Sequence, residues 1–125
     1  MITYSEVILL ADPDPASRGV LRAVLERAGY VVTAVATGLE AAQVLIETVP
    51  RLIVLDLDLK WLSGRQLIGV LRHNPHTSVI PMVAVGGSVE DLGGIPVLLR
   101  PVAAEQLLAL VHRFLPSASH QDGCI

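Results

Sequence analysis

The chain is poor in the features that mark several classes of protein. Its 125 residues include one cysteine, one tryptophan, two tyrosines and one phenylalanine, and its net charge is −3. Cys124 has no partner for an internal disulfide, which suits a reducing compartment, and the charge gives no basic footprint for nucleic acid. The start "MITYSE" is unlike a signal peptide, and no apolar run approaches membrane-spanning length. We therefore expect a cytoplasmic protein that contacts neither nucleic acid nor a membrane directly.

The length and the apolar content point to a single folded unit. A chain of this size is most simply one domain and can bury about two-thirds of its unfolded surface. Hydrophobic residues make up 52% of it, so aliphatic side chains must fill the core. The last ten residues, "PSASHQDGCI", are small, polar and without periodicity. We predict a domain over residues 1–115 and a flexible tail or linker remnant over 116–125.

The apolar residues follow one repeating pattern. Short aliphatic runs without polar alternation predict strands covered on both faces, which usually means a parallel sheet. These runs are "VILLA" (7–11), "YVVTAVA" (30–36), "LIVL" (52–55), "PMVAV" (81–85) and "PVLL" (96–99). Stretches with helical spacing separate them, and Gly29 is the expected end of the first. The pattern predicts an α/β domain with a doubly wound, five-stranded parallel sheet and helices on both faces.

The segment before the last predicted strand is too short for an ordinary helix. Between Val85 and Val97 only "GGSVEDLGGIP" remains, with four glycines and one proline, whereas an average α-helix alone takes about 11–12 residues. A single turn over 88–92, capped by Ser88, is the most that this segment predicts. We therefore expect the fourth helix of the fold to be shortened or missing.

Acidic residues cluster where two of the predicted strands end. Asp12 and Asp14 follow the first run, and Asp56 and Asp58 follow the third. In doubly wound sheets ligands bind at the carboxyl ends of the strands, and an ionised carboxylate is costly to bury without a partner. We therefore expect these carboxylates at the rim of the sheet, where chemistry can be done, rather than in the core.

Four segments share their order and spacing with a known family. They are "VILLADPDPASRGVLRAVLERAGY", "PRLIVLDLDLKWLSGRQLIGVLR", "IPMVAVGG" and "VLLRPVAAEQLLALV". Together they resemble the receiver domain of two-component response regulators over about residues 6–115. The resemblance implies a flavodoxin-like strand order of 2-1-3-4-5 and a role in phosphorelay signalling with a sensor kinase or an output domain, not an enzyme activity. It also implies an aspartate that forms an acyl phosphate beside a bound Mg²⁺ ion.

Several residues match the family's site. Asp56 stands at the phosphoacceptor position, Asp12 at the first metal-holding acid, and Arg100 at the lysine that contacts phosphoryl oxygens. Asp58 stands where the family supplies a metal ligand through its backbone carbonyl. The candidate metal ligands are therefore Asp12, Asp56 and Asp58. A further hypothesis is that the Asp58 or Asp14 carboxylate replaces a missing acid, so that Mg²⁺ still binds weakly.

Four positions depart from the family's pattern. Pro13 occupies the position of the family's second metal-holding acid. Gly86 replaces the residue with the switch hydroxyl, and Val97 replaces the switch aromatic. Arg100 keeps a positive charge, but a forked guanidinium is not equivalent to a compact ammonium. The loss of a charged ligand weakens a cation site. We therefore expect an atypical, degenerate receiver with weak or absent phosphorylation of Asp56, acting through protein contacts.

The residues around the rim also have alternative, purely structural roles. Asp12 is alternatively the N-cap of the first helix, and Arg100 alternatively forms a structural ion pair with Asp56. Trp61 is expected to pack partly over the site, whereas an exposed tryptophan would indicate a partner contact. The three histidines outside the tail are expected at the surface without a metal; they are His73, His76 and His112.

Two other functions compete with signalling by a receiver. The pair Asp56-x-Asp58 also resembles the nucleophile motif of haloacid-dehalogenase-type phosphatases, in which the second acid works as a general acid and base. Lys60 stands where that motif has a small Thr or Val, and few acids follow later in the chain. The second competing function is that of a purely structural dimerisation domain, which would form a homodimer through the last helix and the fifth strand.

Overall fold

The five aliphatic runs form one parallel sheet in the structure, a computed structural model that describes residues 3–115. In chain order the elements are β1 (Thr3–Tyr4), β2 (Val7–Ala11), α1 (Pro15–Arg27), β3 (Val31–Val35), α2 (Gly38–Glu47), β4 (Thr48–Val49), β5 (Leu52–Asp56), α3 (Gly64–Arg72), β6 (Met82–Gly86), β7 (Val97–Leu99) and α4 (Ala104–Phe114). The sheet has the order β3-β2-β5-β6-β7, with every pair of neighbours parallel. Counted along these five strands the order is 2-1-3-4-5, so the predicted fold is confirmed.

Helices cover both faces of the sheet because successive side chains of each strand point to opposite sides. In β2, Ile8 and Leu10 join the core on one face, and Leu9 and Ala11 join the core on the other. The first face is closed by α1 and α4, and the second by α2 and α3. This two-sided burial explains why the runs lack polar alternation.

The helix starts follow local capping chemistry. The carboxylate of Asp14 accepts the backbone N–H of Ser17 at 3.2 Å and caps α1, which begins at Pro15. Asp14, not Asp12, is thus the N-cap of α1, so the alternative that placed Asp12 there is wrong. A capping box starts α3, where Ser63 accepts the N–H of Gln66 and the Gln66 side chain accepts the N–H of Ser63.

The segment between β6 and β7, residues 87–96, forms no helical turn. The family's helix between these two strands is missing, as predicted, but the prediction of a single turn capped by Ser88 is wrong. Gly93 and Gly94, directly after the predicted turn, both adopt positive φ angles, so a helix could not have continued through them. We call residues 87–96 the connector.

The two-residue strands β1 and β4 pair with each other beside the main sheet and were too short to predict. The predicted tail over 116–125, with Cys124, lies outside the described residues. Within residues 3–115 no helix is both long and apolar enough to cross a membrane.

His112 is less exposed than expected. Its ring lies against Tyr30, with the ring centroids 5.9 Å apart, on the face closed by α1 and α4. Its Nε2 atom and the Tyr30 hydroxyl are both buried without a hydrogen-bond partner. The prediction of a solvated His112 is therefore wrong, because its position on α4 turns the ring towards Tyr30 and leaves it half-buried.

We predict that Tyr30→Phe leaves the fold intact and raises the free energy of unfolding by up to about 1 kcal/mol, because it removes a buried hydroxyl without a partner. Burial raises the pKa of Tyr30 above its usual value, and Arg51 partly opposes the rise. The fold favours the neutral hydroxyl, so its stability is unaffected by the ionisation of Tyr30 below the unfolded pKa of about 10 and falls as the pH climbs through the higher folded pKa. Urea unfolding at about pH 8 and about pH 10.5 should show a smaller alkaline loss in the variant; an equal loss would contradict this assignment.

Candidate functional site

The acceptor-position carboxylate ends a central strand. Asp56 is the last residue of β5 and is 4% exposed. Its Oδ1 atom accepts the backbone N–H of Asp58 at 2.8 Å and a guanidinium N–H of Arg100 at 2.5 Å. A buried carboxylate needs such partners. The side chain therefore stands at the rim of the sheet, as the sequence predicted, with its charge already compensated.

Arg100 reaches this carboxylate from the end of β7. Its backbone N–H donates to the carbonyl of Gly86 at 3.1 Å, and the peptide bond to Pro101 is cis. Its Nη2 atom also donates to Asp58 Oδ2 at 3.0 Å, so one nitrogen bridges two carboxylates. The hydrogen bond to Asp56 is the main cause that raises the pKa of Arg100, and Asp58 adds to the rise. The ion pair that the sequence left open is present, and it includes Asp58.

Asp12 stands beside this pair in the sheet but faces another way. Ala11 is aligned with Leu55 in the parallel register, which brings Asp12 and Asp56 to neighbouring strand ends. Asp12 is 3% exposed, and its two oxygens accept the N–H of Asp14 at 2.9 Å and the hydroxyl of Ser17 at 2.6 Å. Its carboxylate is therefore engaged with the start of α1.

Two residues around Asp12 were not predicted from the sequence. Ser17 supplies the hydroxyl just described, and Arg18 donates to the Asp12 carbonyl at 2.8 Å. Both lie in the first turn of α1. The Asp-Pro pair at the start of this helix was the sequence signal that could have placed them there. An aspartate followed by a helix brings the next polar side chains back over the strand end.

The donor set does not fit a divalent cation as it is arranged. Mg²⁺ requires several oxygen ligands at close to octahedral geometry, and Pro13 supplies no carboxylate. Asp12 has both oxygens occupied, and Arg100 holds the carboxylates of Asp56 and Asp58. Among residues 3–115, no three or more His, Cys, Asp or Glu side chains are placed to hold a metal. A metal that took Asp56 Oδ1 or Asp58 Oδ2 as a ligand would compete with the guanidinium for it.

The two switch positions are filled by aliphatic contacts. A Cβ atom added at Gly86 would lie 3.0 Å from Leu57 Cδ1 and 3.6 Å from Val97 Cγ1. Leu57 is 1% exposed, and Val97 packs against the core face closed by α2 and α3. A hydroxyl side chain at position 86 would therefore require Leu57 to move.

Trp61 does not pack over the site. It is 79% exposed, whereas Leu62 packs against the core. Both residues have positive φ angles, 61° and 143°, and this turn of the chain directs Leu62 inwards in place of Trp61. The prediction of a half-packed tryptophan is wrong, and its alternative, a partner contact, is favoured.

A groove of about 470 Å³ opens beside Arg100, between the start of α1 and the turn after β7. Asp14, Ser17 and Arg100 give it polar walls, and Val20 and Val102 give it apolar ones. Val20 is 61% exposed. The guanidinium, 37% exposed, can thus be reached from this side by another molecule.

A family profile matches the sequence that forms this sheet and its site. The profile of the response regulator receiver domain covers residues 8–112. The chain belongs to this family. Receiver domains are modules of two-component signalling, and they commonly bind Mg²⁺ at their acidic site.

Several proteins show the same likeness. An uncharacterized 14.6 kDa protein from the sodA1 3′ region of Leptolyngbya boryana is 30% identical over 115 residues, which is 86% of this chain and 88% of that protein. Response regulator MprA of Mycobacterium sp. (strain KMS) is 31% identical over 93% of this chain, which spans only 53% of MprA. The signal receiver domain of a Syntrophus aciditrophicus signal transduction histidine kinase superposes with a TM-score of 0.83 at 25% identity, over 90% of this chain and 92% of that one.

Proposed function

We propose that this receiver domain is an atypical signalling module of the cytoplasm. It acts through contacts with a sensor kinase or an output domain, with weak or absent phosphorylation of Asp56. A divalent cation binds weakly, because it must compete with Arg100 for the carboxylates. The chain spans about half of MprA, so an output domain on the same polypeptide is also part of this proposal.

The observation that carries the proposal is the guanidinium of Arg100 on the two carboxylates. An incoming phosphoryl group brings negative charge to Asp56, and the family stabilises that charge with a metal and a compact ammonium. Here one internal cation is already paired with Asp56 and Asp58, at 2.5 and 3.0 Å, and offsets part of their charge. Pro13 has no carboxylate to add as a metal ligand, and Gly86 has no hydroxyl to sense the modified state.

The phosphatase alternative finds no support in the family match or in the relatives named above. A general acid must stand free beside the nucleophile, whereas the Asp58 carboxylate accepts from Arg100. We do not propose it.

Exposure of the full chain to acetyl phosphate and Mg²⁺, followed by intact-mass spectrometry, tests the proposal. We expect less than about a tenth of the chain to gain a phosphoryl group, because transition-state charge at Asp56 lacks its usual stabilisation. Asp56→Asn serves as the control for modification elsewhere. Substantial modification that disappears in this variant would overturn the proposal of weak or absent phosphorylation.

A further inference from the structure

The connector is held in place by two arginines of α3, although it has no helix of its own. Arg65 donates from Nε to Glu90 Oε1 at 2.9 Å, and its Nη2 contacts Glu90 Oε2. Arg72 donates from Nη2 to the carbonyls of Leu92 and Gly93, both at 2.8 Å. The two arginines are seven residues apart, which places them two turns apart on one side of the helix.

The sequence of the connector suits this attachment. Gly93 has φ +66°, which favours glycine, and a Cβ atom there would lie 2.4 Å from Arg72 Nη1 and push the guanidinium aside. Leu92 and Ile95 pack against the core on the same face. Val89, next to Glu90, is 83% exposed. The connector is thus a fixed loop that presents an apolar side chain to solvent.

Charges alternate from the acceptor position to this loop. Arg100 bridges Asp56 and Asp58. The N–H of Gly64 donates to the carbonyl of Leu57 at 3.3 Å, which brings the backbone of Arg65, the partner of Glu90, close to that of Asp58. The hydrogen bond with Glu90 is the main cause that raises the pKa of Arg65, and the charge of Asp58 adds to the rise. The same Asp58 charge opposes the lowering of the pKa of Glu90. Asp58 therefore contacts one cation, Arg100, and lies near the start of α3, which carries a second, Arg65.

We propose that Asp58 couples the site to the connector. While Arg100 holds Asp58, Arg65 remains on Glu90 and the first half of the connector stays fixed. When Arg100 is drawn away, the Asp58 carboxylate competes with Glu90 for Arg65, and residues 88–91 are released. Arg100 is 37% exposed at the groove beside α1, so an acidic group of a bound partner can reach it.

This device replaces the absent hydroxyl switch with a competition between two carboxylates for one arginine. No covalent modification is needed, since both pairs exchange by side-chain rotation. The inference rests on the proposed signalling role for its biological use. The coupling itself is a property of the chain alone, so its failure and the failure of the proposed function give different experimental results.

The test is to measure backbone amide order parameters of residues 88–91 by ¹⁵N relaxation in the full chain. We expect values of about 0.85 in the wild type and below about 0.6 in Arg65→Ala, which cuts the attachment directly. Arg100→Ala should give the same drop, although the Arg100 side chain donates to no connector residue. The double variant Arg100→Ala with Asp58→Asn should restore the wild-type values, because the amide cannot replace Glu90 as an anion.

The controls separate coupling from general loosening. Arg22→Ala removes an exposed arginine paired with Glu26 on α1 and should leave residues 88–91 unchanged. Amides of β2 and β5 report any loss of the fold. If Arg100→Ala does not fold, Arg100→Gln, which keeps a polar side chain but carries no positive charge, should show the same drop and the same rescue by Asp58→Asn. An unchanged connector in the folded Arg100 variant, or a double variant as loose as the single one, would overturn the proposal.

Discussion

Gly64→Ala is expected to lower the free energy of unfolding by about 1–3 kcal/mol or more, because the new methyl group would overlap backbone atoms. A Cβ atom at Gly64 would lie 2.4 Å from the carbonyl oxygen of Asp56 and 2.7 Å from the Cα of Leu57. Backbone cannot rotate away as a side chain can, so α3 or the loop after β5 must shift. The shift would also move the acceptor-position carboxylate.

Gly69→Ala is the matched control in the same helix. No heavy atom lies within 4 Å of a Cβ atom at Gly69, and alanine favours a helix interior over glycine by about 0.8–1 kcal/mol. This variant should therefore be slightly more stable than the wild type. Chemical unfolding of both variants, monitored by circular dichroism, compares them. Equal stabilities would contradict the close approach of α3 to Asp56.

Arg100→Ala is expected to lower the free energy of unfolding by about 2 kcal/mol. The Asp56 side chain is 5% exposed, and without Arg100 only the N–H of Asp58 remains as its hydrogen-bond donor. The value lies below the range for a fully buried pair because Arg100 is 37% exposed and water screens it. Arg22→Ala, which breaks the exposed pair with Glu26, should change stability by less than about 1 kcal/mol.

The double variant identifies the cause of that loss. Asn at position 56 carries no charge, so Asp56→Asn in the Arg100→Ala background should recover about half of the stability. Urea unfolding of the four chains in this cycle measures the coupling energy. A double variant less stable than Arg100→Ala alone would show that the guanidinium stabilises the fold by packing and not by compensating Asp56.

The fold could be predicted because its signals are local. Strands buried on both faces must be aliphatic runs, as "VILLA" and "LIVL" are, and helical stripes between them leave few arrangements of a parallel sheet. The absence of a helix between β6 and β7 could be predicted from the length and the glycine content of the connector alone. The orientation of single side chains could not. Trp61 and Leu62 exchange the expected roles because of two positive φ angles that the sequence does not indicate.

The candidate site was predictable in position and less so in its contacts. Asp56, Asp58 and Arg100 come together as strand ends of one sheet edge should. The hydroxyl of Ser17 on Asp12 depends on how the first turn of α1 folds back. The attachment of Arg65 to Glu90 spans 25 residues and depends on the path of the connector. Long-range pairs of this kind have no local pattern, so one sequence cannot predict them.

The central claim is that Arg100 already occupies the carboxylates of the site. Its most direct test is the melting temperature of the protein with Mg²⁺ alone and with Mg²⁺ plus beryllofluoride. A ligand present at about 100 times its dissociation constant would stabilise the fold by about 2.7 kcal/mol, a rise on the order of 10 °C for a domain of this size. We expect the wild type and Asp56→Asn to melt within about 1 °C of their ligand-free values at millimolar concentrations. A rise of several degrees in the wild type that is absent from Asp56→Asn would contradict this account.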